Sequence, residues 1–137
     1  MLKILMALVL VSLATPAAMA QTESESPTVS ATSGFKTIDN RQLADMLEAK
    51  AFLFVNVHVP FEGEIDGTDQ HIPFDRVTDN LDKFPSDKTA EIVLYCQSGR
   101  MSEIAATELS RLGYTNVSHV AGGMIGWQAI GGEIVGK

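Results

Sequence analysis

The chain has 137 residues, with ten Lys and Arg against seventeen Asp and Glu, one Cys and 45% apolar residues. That length holds one ordinary domain. A formal net charge of −7 argues against nucleic acid or an anionic membrane as the main partner, because both recruit basic surfaces. One Cys excludes an internal disulfide framework and any Cys-cluster metal site.

Residues 1–20 differ in composition from the rest. Lys3 is their one charge, Ile4 to Leu13 is apolar except for Ser12, and the stretch closes on the small-x-small run Ala18-Met19-Ala20. This order predicts a cleavable secretory signal cut after Ala20. It is shorter than the ~20 apolar residues that span a bilayer. A periplasmic or secreted protein is therefore expected, with no membrane attachment after cleavage. Such compartments are usually oxidising, so a lone Cys there asks for a reason. Residues 21–33, rich in Ser and Thr with Glu23, Glu25 and Pro27, show neither a helical nor a strand period and read as a flexible linker. Residues 34–137 remain for one domain.

Along that domain, Phe35 to Ile38 reads as a short first strand. Asp39 or Asn40 then caps a helix whose face is Leu43, Ala44, Met46 and Leu47. Ala51 to Val59 is nearly continuous apolar, broken by Asn56 and His58, and predicts a buried central strand. Pro60 to Asp69 reads as a loop rich in Gly and acid. His71 to Phe74 reads as a short strand, and Leu81 to Phe84 as one or two helical turns. Ile92-Val93-Leu94-Tyr95 is an apolar strand with Cys96 at its C-terminal end. After Gln97-Ser98-Gly99, the spacing of Met101, Ile104, Ala105, Leu109 and Leu112 predicts a helix that stops at Gly113. Val117 to Ala121 predicts another strand, and Gly122-Gly123 a turn into a short last helix bearing Trp127. Strands alternating with helices imply an α/β fold, a parallel sheet covered on both faces.

Ligand sites in such sheets lie beyond the carboxyl ends of the strands, where Cys96 falls. The loop after it runs into a helix N-terminus, whose free N–H groups and positive dipole end favour an anion. That anion is a thiolate, an oxyanion, or sulfur carried on Cys96. The same field favours the thiolate, the nucleophilic form of the residue. Arg100, at the loop's end, adds positive charge at the same mouth. A free Cys is often only a small apolar core residue. The strand–Cys–Ser-Gly–helix order outweighs that reading here. No His or Asp nearby in sequence reads as an activating base.

Tyr95-Cys96-Gln97-Ser98-Gly99-Arg100-Met101-Ser102 resembles the active-site loop of the rhodanese (thiosulfate sulfurtransferase) superfamily. Asn56-Val57-His58-Val59-Pro60 is similar to that family's usual Asp-Val-Arg-x-Pro, and Gly63-Glu64-Ile65-Asp66-Gly67 to its Gly-His-Ile-Pro-Gly. Ile72-Pro73-Phe74 is similar to the following strand, and Gly122-Gly123-Met124-Ile125-Gly126-Trp127 to its closing Gly-Gly-x-x-x-Trp. Together they cover roughly residues 34–137, as an exported single-domain member. The resemblance implies a three-layer fold: a central, mostly parallel five-stranded sheet with helices on both faces. It further implies a sulfurtransferase in which Cys96 is the catalytic nucleophile and becomes a persulfide. Gln97, Ser98, Gly99, Arg100, Met101 and Ser102 form the loop that binds substrate and cradles the persulfide. The implied partners are a small sulfur donor such as thiosulfate and a thiophilic acceptor: cyanide, a thiol, or a protein thiol. Neither metal nor organic cofactor is implied. A second reading is a non-catalytic binding, sulfur-carrier or sensing module.

The sequence departs from the family at Met101, where the loop usually carries Arg. Asn56 and His58 stand in place of an acid and a base, so neutral hydrogen bonds are expected where the family has an ion pair. A Cys-based phosphatase would need Cys-x5-Arg, with Arg clamping the phosphate oxygens. Ser102 stands at that position, which argues against phosphatase chemistry. A thiol redox role would need a resolving Cys from another molecule. His58, His71 and His119 lack metal-ligand spacing; His58 and His119 are expected in strands, in structural roles. Trp127 is expected to seat the last helix. Glu62, Glu64, Asp66 and Asp69 lack the spacing of a Ca²⁺ loop and read as a solvated segment.

Overall fold

The computed structural model describes residues 34–137. The expected signal (1–20) and linker (21–33) lie outside the described residues. The elements in chain order are β1 (Lys36–Ile38), α1 (Asn40–Glu48), β2 (Leu53–Asn56), β3 (Glu64–Ile65) and β4 (Gln70–His71). A 3-10 helix (Thr78–Lys83) follows, then β5 (Ile92–Tyr95), α2 (Arg100–Arg111), β6 (Val117–Val120), α3 (Gly123–Ala129) and β7 (Ile134–Val135).

Five strands form one sheet in the order β1-β6-β5-β2-β4, and every pairing within it is parallel. β5 lies at its centre, and all four of its residues are buried. Its side chains alternate between two cores, as a pleated strand requires. Ile92 and Leu94 join Ala105, Ala106 and Leu109 of α2 on one face. Val93 and Tyr95 join Leu43 of α1 and Met124 of α3 on the other. The three-layer α/β architecture expected from the sequence is therefore the one observed.

The strand expected at His71–Phe74 is instead Gln70–His71, and two further expectations need correction. The segment from Pro60 to Asp69 is not only loop: β3 within it pairs antiparallel with β7, Glu64 opposite Val135 and Ile65 opposite Ile134. A two-residue strand is too short to leave a period in the sequence. The central strand is also shorter than 51–59, and His58 lies beyond its end. Asn56 ends the ladder by turning its side chain to the backbone: its Nδ2 donates to Gly63 O (3.1 Å), and its Oδ1 accepts from His58 N (3.0 Å). Among the described residues, no helix is long and apolar enough to cross a membrane.

Candidate active site

The apolar run Ile92–Tyr95 carries the chain through the middle of the sheet and delivers Cys96 at its carboxyl end. Cys96 is 1% exposed, so neighbouring dipoles act on its sulfur with little solvent screening. Gln97 and Ser98 are exposed at the loop's tip. Gly99 turns the chain back at φ +100°, and a Cβ there would sit 2.2 Å from Ala121 O. Only Gly satisfies both constraints. With the chain so turned, Gly99 N donates to Cys96 Sγ at 3.0 Å.

Gly99 also begins α2, since Glu103 N donates to its carbonyl (3.1 Å). The amides of Arg100, Met101 and Ser102 precede this first helical bond and belong to the helix's positive end. The two neighbours of the loop's turn diverge. Arg100 is exposed, whereas Met101 is half-buried and packs on the core beneath α2. At the place where rhodaneses usually carry Arg, this loop thus has an apolar side chain seated inward.

Ser102 is buried behind the sulfur. Its Oγ lies 3.7 Å from Cys96 Sγ, donates to Gly99 O (3.0 Å), and lies 3.1 Å from His119 Nδ1. The far nitrogen of that imidazole, Nε2, is 3.2 Å from Thr37 Oγ1 on β1. Burial holds His119 below the usual imidazole range, while the Glu103 carboxylate pushes it partly back. Neighbouring sequence offers no candidate base for Cys96, but parallel pairing places His119 beside Leu94, two residues before Cys96. One signal was available in the sequence: an imidazole within the short strand Val117–Val120, between valines that mark it as a core strand.

The closing Gly-Gly motif locks the same loop from the other side. Met124 N donates to Cys96 O (2.9 Å) and Ile125 N to Gln97 O (3.1 Å). Gly123 is at φ +55°, and a Cβ on it would lie 2.3 Å from Cys96 O. Beyond Gln97 opens a cleft of about 410 Å³ whose lining includes Phe61, Glu62, Met124, Gln128 and Lys137.

The remaining candidates take these places. His58 Nε2 pairs with Glu62 Oε2 (3.0 Å), and His71 Nε2 meets His58 O (2.7 Å). The expected replacement of an ion pair by neutral hydrogen bonds holds for Asn56, while His58 acquires an acidic partner. Asp69 is tied in rather than merely solvated: its Oδ2 accepts from Phe54 N (2.9 Å) and from Lys50 Nζ (2.7 Å). Trp127 packs against the core under α3 and donates to Glu133 O (3.2 Å). Among the described residues, no group of three or more His, Cys, Asp or Glu is arranged to hold a metal ion.

The family model for the rhodanese-like domain matches residues 39–130. The chain belongs to that family. It is 34% identical over 97 residues to a probable adenylyltransferase/sulfurtransferase, MoeZ, of Mycobacterium tuberculosis, a match covering 66% of this chain and 24% of that protein. The chain thus spans about a quarter of that relative's length. It is 31% identical over 102 residues to a sulfurtransferase of Allochromatium vinosum, covering 72% of this chain and 92% of that one. Among solved structures, a rhodanese-like domain protein from Staphylococcus aureus superposes with a TM-score of 0.62 at 30% identity, covering 74% of this chain and 99% of that one.

Proposed function

We propose that the chain is a sulfurtransferase that carries sulfur as a persulfide on Cys96. The observation that carries this reading is the Gly99 N–H placed 3.0 Å from a buried Sγ at the positive end of α2. The Cys96 thiolate attacks the outer sulfur of a donor such as thiosulfate. A new S–S bond forms as the donor's own S–S bond breaks, and sulfite leaves with the bonding pair. The negative charge then rests on the outer sulfur, where the loop amides from Gln97 to Ser102 receive it. A thiophilic acceptor, cyanide or a thiol, takes that sulfur and returns Cys96 to the thiolate. Charge and atoms balance in both steps without a cofactor. Sulfurtransferases among the relatives support the class of reaction, but donor and acceptor are part of the proposal.

Purified protein incubated with thiosulfate is expected to gain one sulfur atom by intact mass, while Cys96→Ser gains none. Failure of the wild type to take up sulfur from thiosulfate and from polysulfide sinks the reading. Export is part of the same proposal, and N-terminal sequencing of protein from the producing cell is expected to begin at Gln21.

One observation favours a binding, carrier or sensing module without turnover: Met101 turns inward where a cationic side chain would hold an anionic donor. Under the sulfurtransferase reading, Met101→Arg raises the rate with thiosulfate more than with an uncharged polysulfide. A variant unaltered toward both donors favours the module.

A further inference from the structure

Ser102 poses a bookkeeping problem that the loop alone does not solve. Its hydroxyl has one hydrogen and three polar neighbours: Gly99 O at 3.0 Å, His119 Nδ1 at 3.1 Å and Cys96 Sγ at 3.7 Å. While Cys96 is a thiol, its S–H points to Ser102 Oγ and the hydroxyl hydrogen goes to Gly99 O. Once the thiol ionises, Sγ becomes an acceptor and needs donors. Gly99 N supplies one of them. Ser102 supplies another only if its hydrogen is not claimed by a bare imidazole nitrogen.

His119 decides that claim. With hydrogen on Nδ1, the ring donates to a lone pair of Ser102 Oγ and leaves the hydroxyl hydrogen free. Thr37 Oγ1, facing Nε2, can donate to that nitrogen and so complement the Nδ1–H form. The opposite tautomer would draw the Ser102 hydrogen away from sulfur.

Resting on the reading of Cys96 as the sulfur carrier, we propose that Ser102 and His119 are positioning residues for its thiolate. His119 Nδ1–H fixes Ser102 Oγ as an acceptor, and Ser102 swings its hydrogen from Gly99 O to the ionised Sγ. In that step the Cys96 S–H bond breaks and its proton passes to water. No electrons are exchanged, and Ser102 and His119 end with the hydrogens they began with.

The groups facing the imidazole fit this role. β1 offers Thr37, and Phe35 just before it offers its ring in an edge contact with a centroid distance of 5.4 Å. Lys36, next on that strand, is turned to Asn116 Oδ1 (3.0 Å). Arg100, which opens α2, is exposed, and the Glu103 carboxylate bears on the ring. Burial, the larger influence, keeps the ring neutral at neutral pH, so it carries one hydrogen and the tautomer matters.

The test is the pH at which alkylation of Cys96 by iodoacetamide reaches half its maximal rate, measured on the folded full chain. Ser102→Ala is expected to raise that pH by about one unit, the scale of one lost hydrogen bond to a charged atom, and His119→Leu, which keeps the hydroxyl but removes the donor that orients it, by a smaller amount. His119→Asn, which keeps an N–H donor near the position of Nδ1, is expected to retain the wild-type profile. The double variant S102A/H119L is expected to shift no further than S102A, because the ring acts through the hydroxyl. A profile unchanged in S102A, equal shifts in H119L and H119N, or additive shifts in the double variant overturns the proposal. S102A deletes a single atom, so it stays informative if H119L does not fold. Wild-type protein that never takes up sulfur, yet shows these shifts, sinks the sulfur-transfer reading and upholds the positioning pair.

Discussion

At the scale of single residues, the site is set by which atoms can come close. Gly99 places its amide on sulfur because no side chain intervenes between it and the Ala121 carbonyl. Gly99→Ala would put a methyl 2.2 Å from that oxygen and a Cβ at φ +100°. The expected result is a loss of more than about 2 kcal/mol of stability, or a displaced loop. Denaturant unfolding together with sulfur uptake by Cys96 checks it, and near wild-type values in both would show that the turn is dispensable. Met101 and Arg100 teach a different lesson. Adjacent in sequence, they point to opposite environments, so the charge of Arg100 does not substitute for an Arg at the inward position.

At the scale of elements, the loop after Cys96 is held between helix ends rather than by its own turn. α2 begins on Gly99 O, and α3 begins by donating to Cys96 O and Gln97 O. α1 reaches the same place through Asn40, buried at its start, whose Nδ2 donates to Gly123 O (2.9 Å). What orients Asn40 is a capping box. Asp39 Oδ1 accepts from Gln42 N (2.8 Å), and Asp39 N donates to Gln42 Oε1 (2.9 Å). Asp39→Ala removes the side-chain half of this box and is expected to cost about 1 kcal/mol. Chemical denaturation measures that loss. Sulfur uptake per folded molecule is expected to be unchanged, since the cap lies away from the sulfur.

Two buried titratable groups on the central strands make the stability of the whole molecule depend on pH. Tyr95 spans from β5 to the β3 segment: Ile65 N donates to its hydroxyl (2.9 Å), which in turn meets Thr68 Oγ1 (2.7 Å). Burial raises it from the ordinary 10.0 to about 12, although the bonds to Thr68 and Ile65 oppose the rise. The unfolded chain therefore ionises first as pH rises. Stability present below pH 10 is lost between about 10 and 12, by roughly 2 kcal/mol. For His119 the folded value is lowered, so the unfolded chain binds its proton first as pH falls. That contribution is present above the ordinary imidazole value and is lost below it. Thermal unfolding across pH is expected to show a plateau from about 7 to 10 that falls on both sides. Tyr95→Phe should flatten the alkaline limb, and an alkaline limb identical to wild type would refute the assignment.

The layered α/β plan is legible in the sequence, because that plan is written in local periodicity. The uninterrupted run Ile92–Tyr95 needs cover on both faces, and the helical spacing of Ala105 and Leu109 supplies it on one of them. The loop is legible too, since a Cys between a buried strand and a helix start has a particular electrostatic setting wherever the chain folds. The ordered motifs around it carried the family. The tertiary structure alone decided who surrounds the sulfur. His119 is far from Cys96 along the chain, and only the β5–β6 register brings it within reach of Ser102. The β3–β7 pair was likewise invisible, because it depends on distant chain segments converging in space. Strand and helix periods record which face of an element is buried. They carry no record of which residues meet across it.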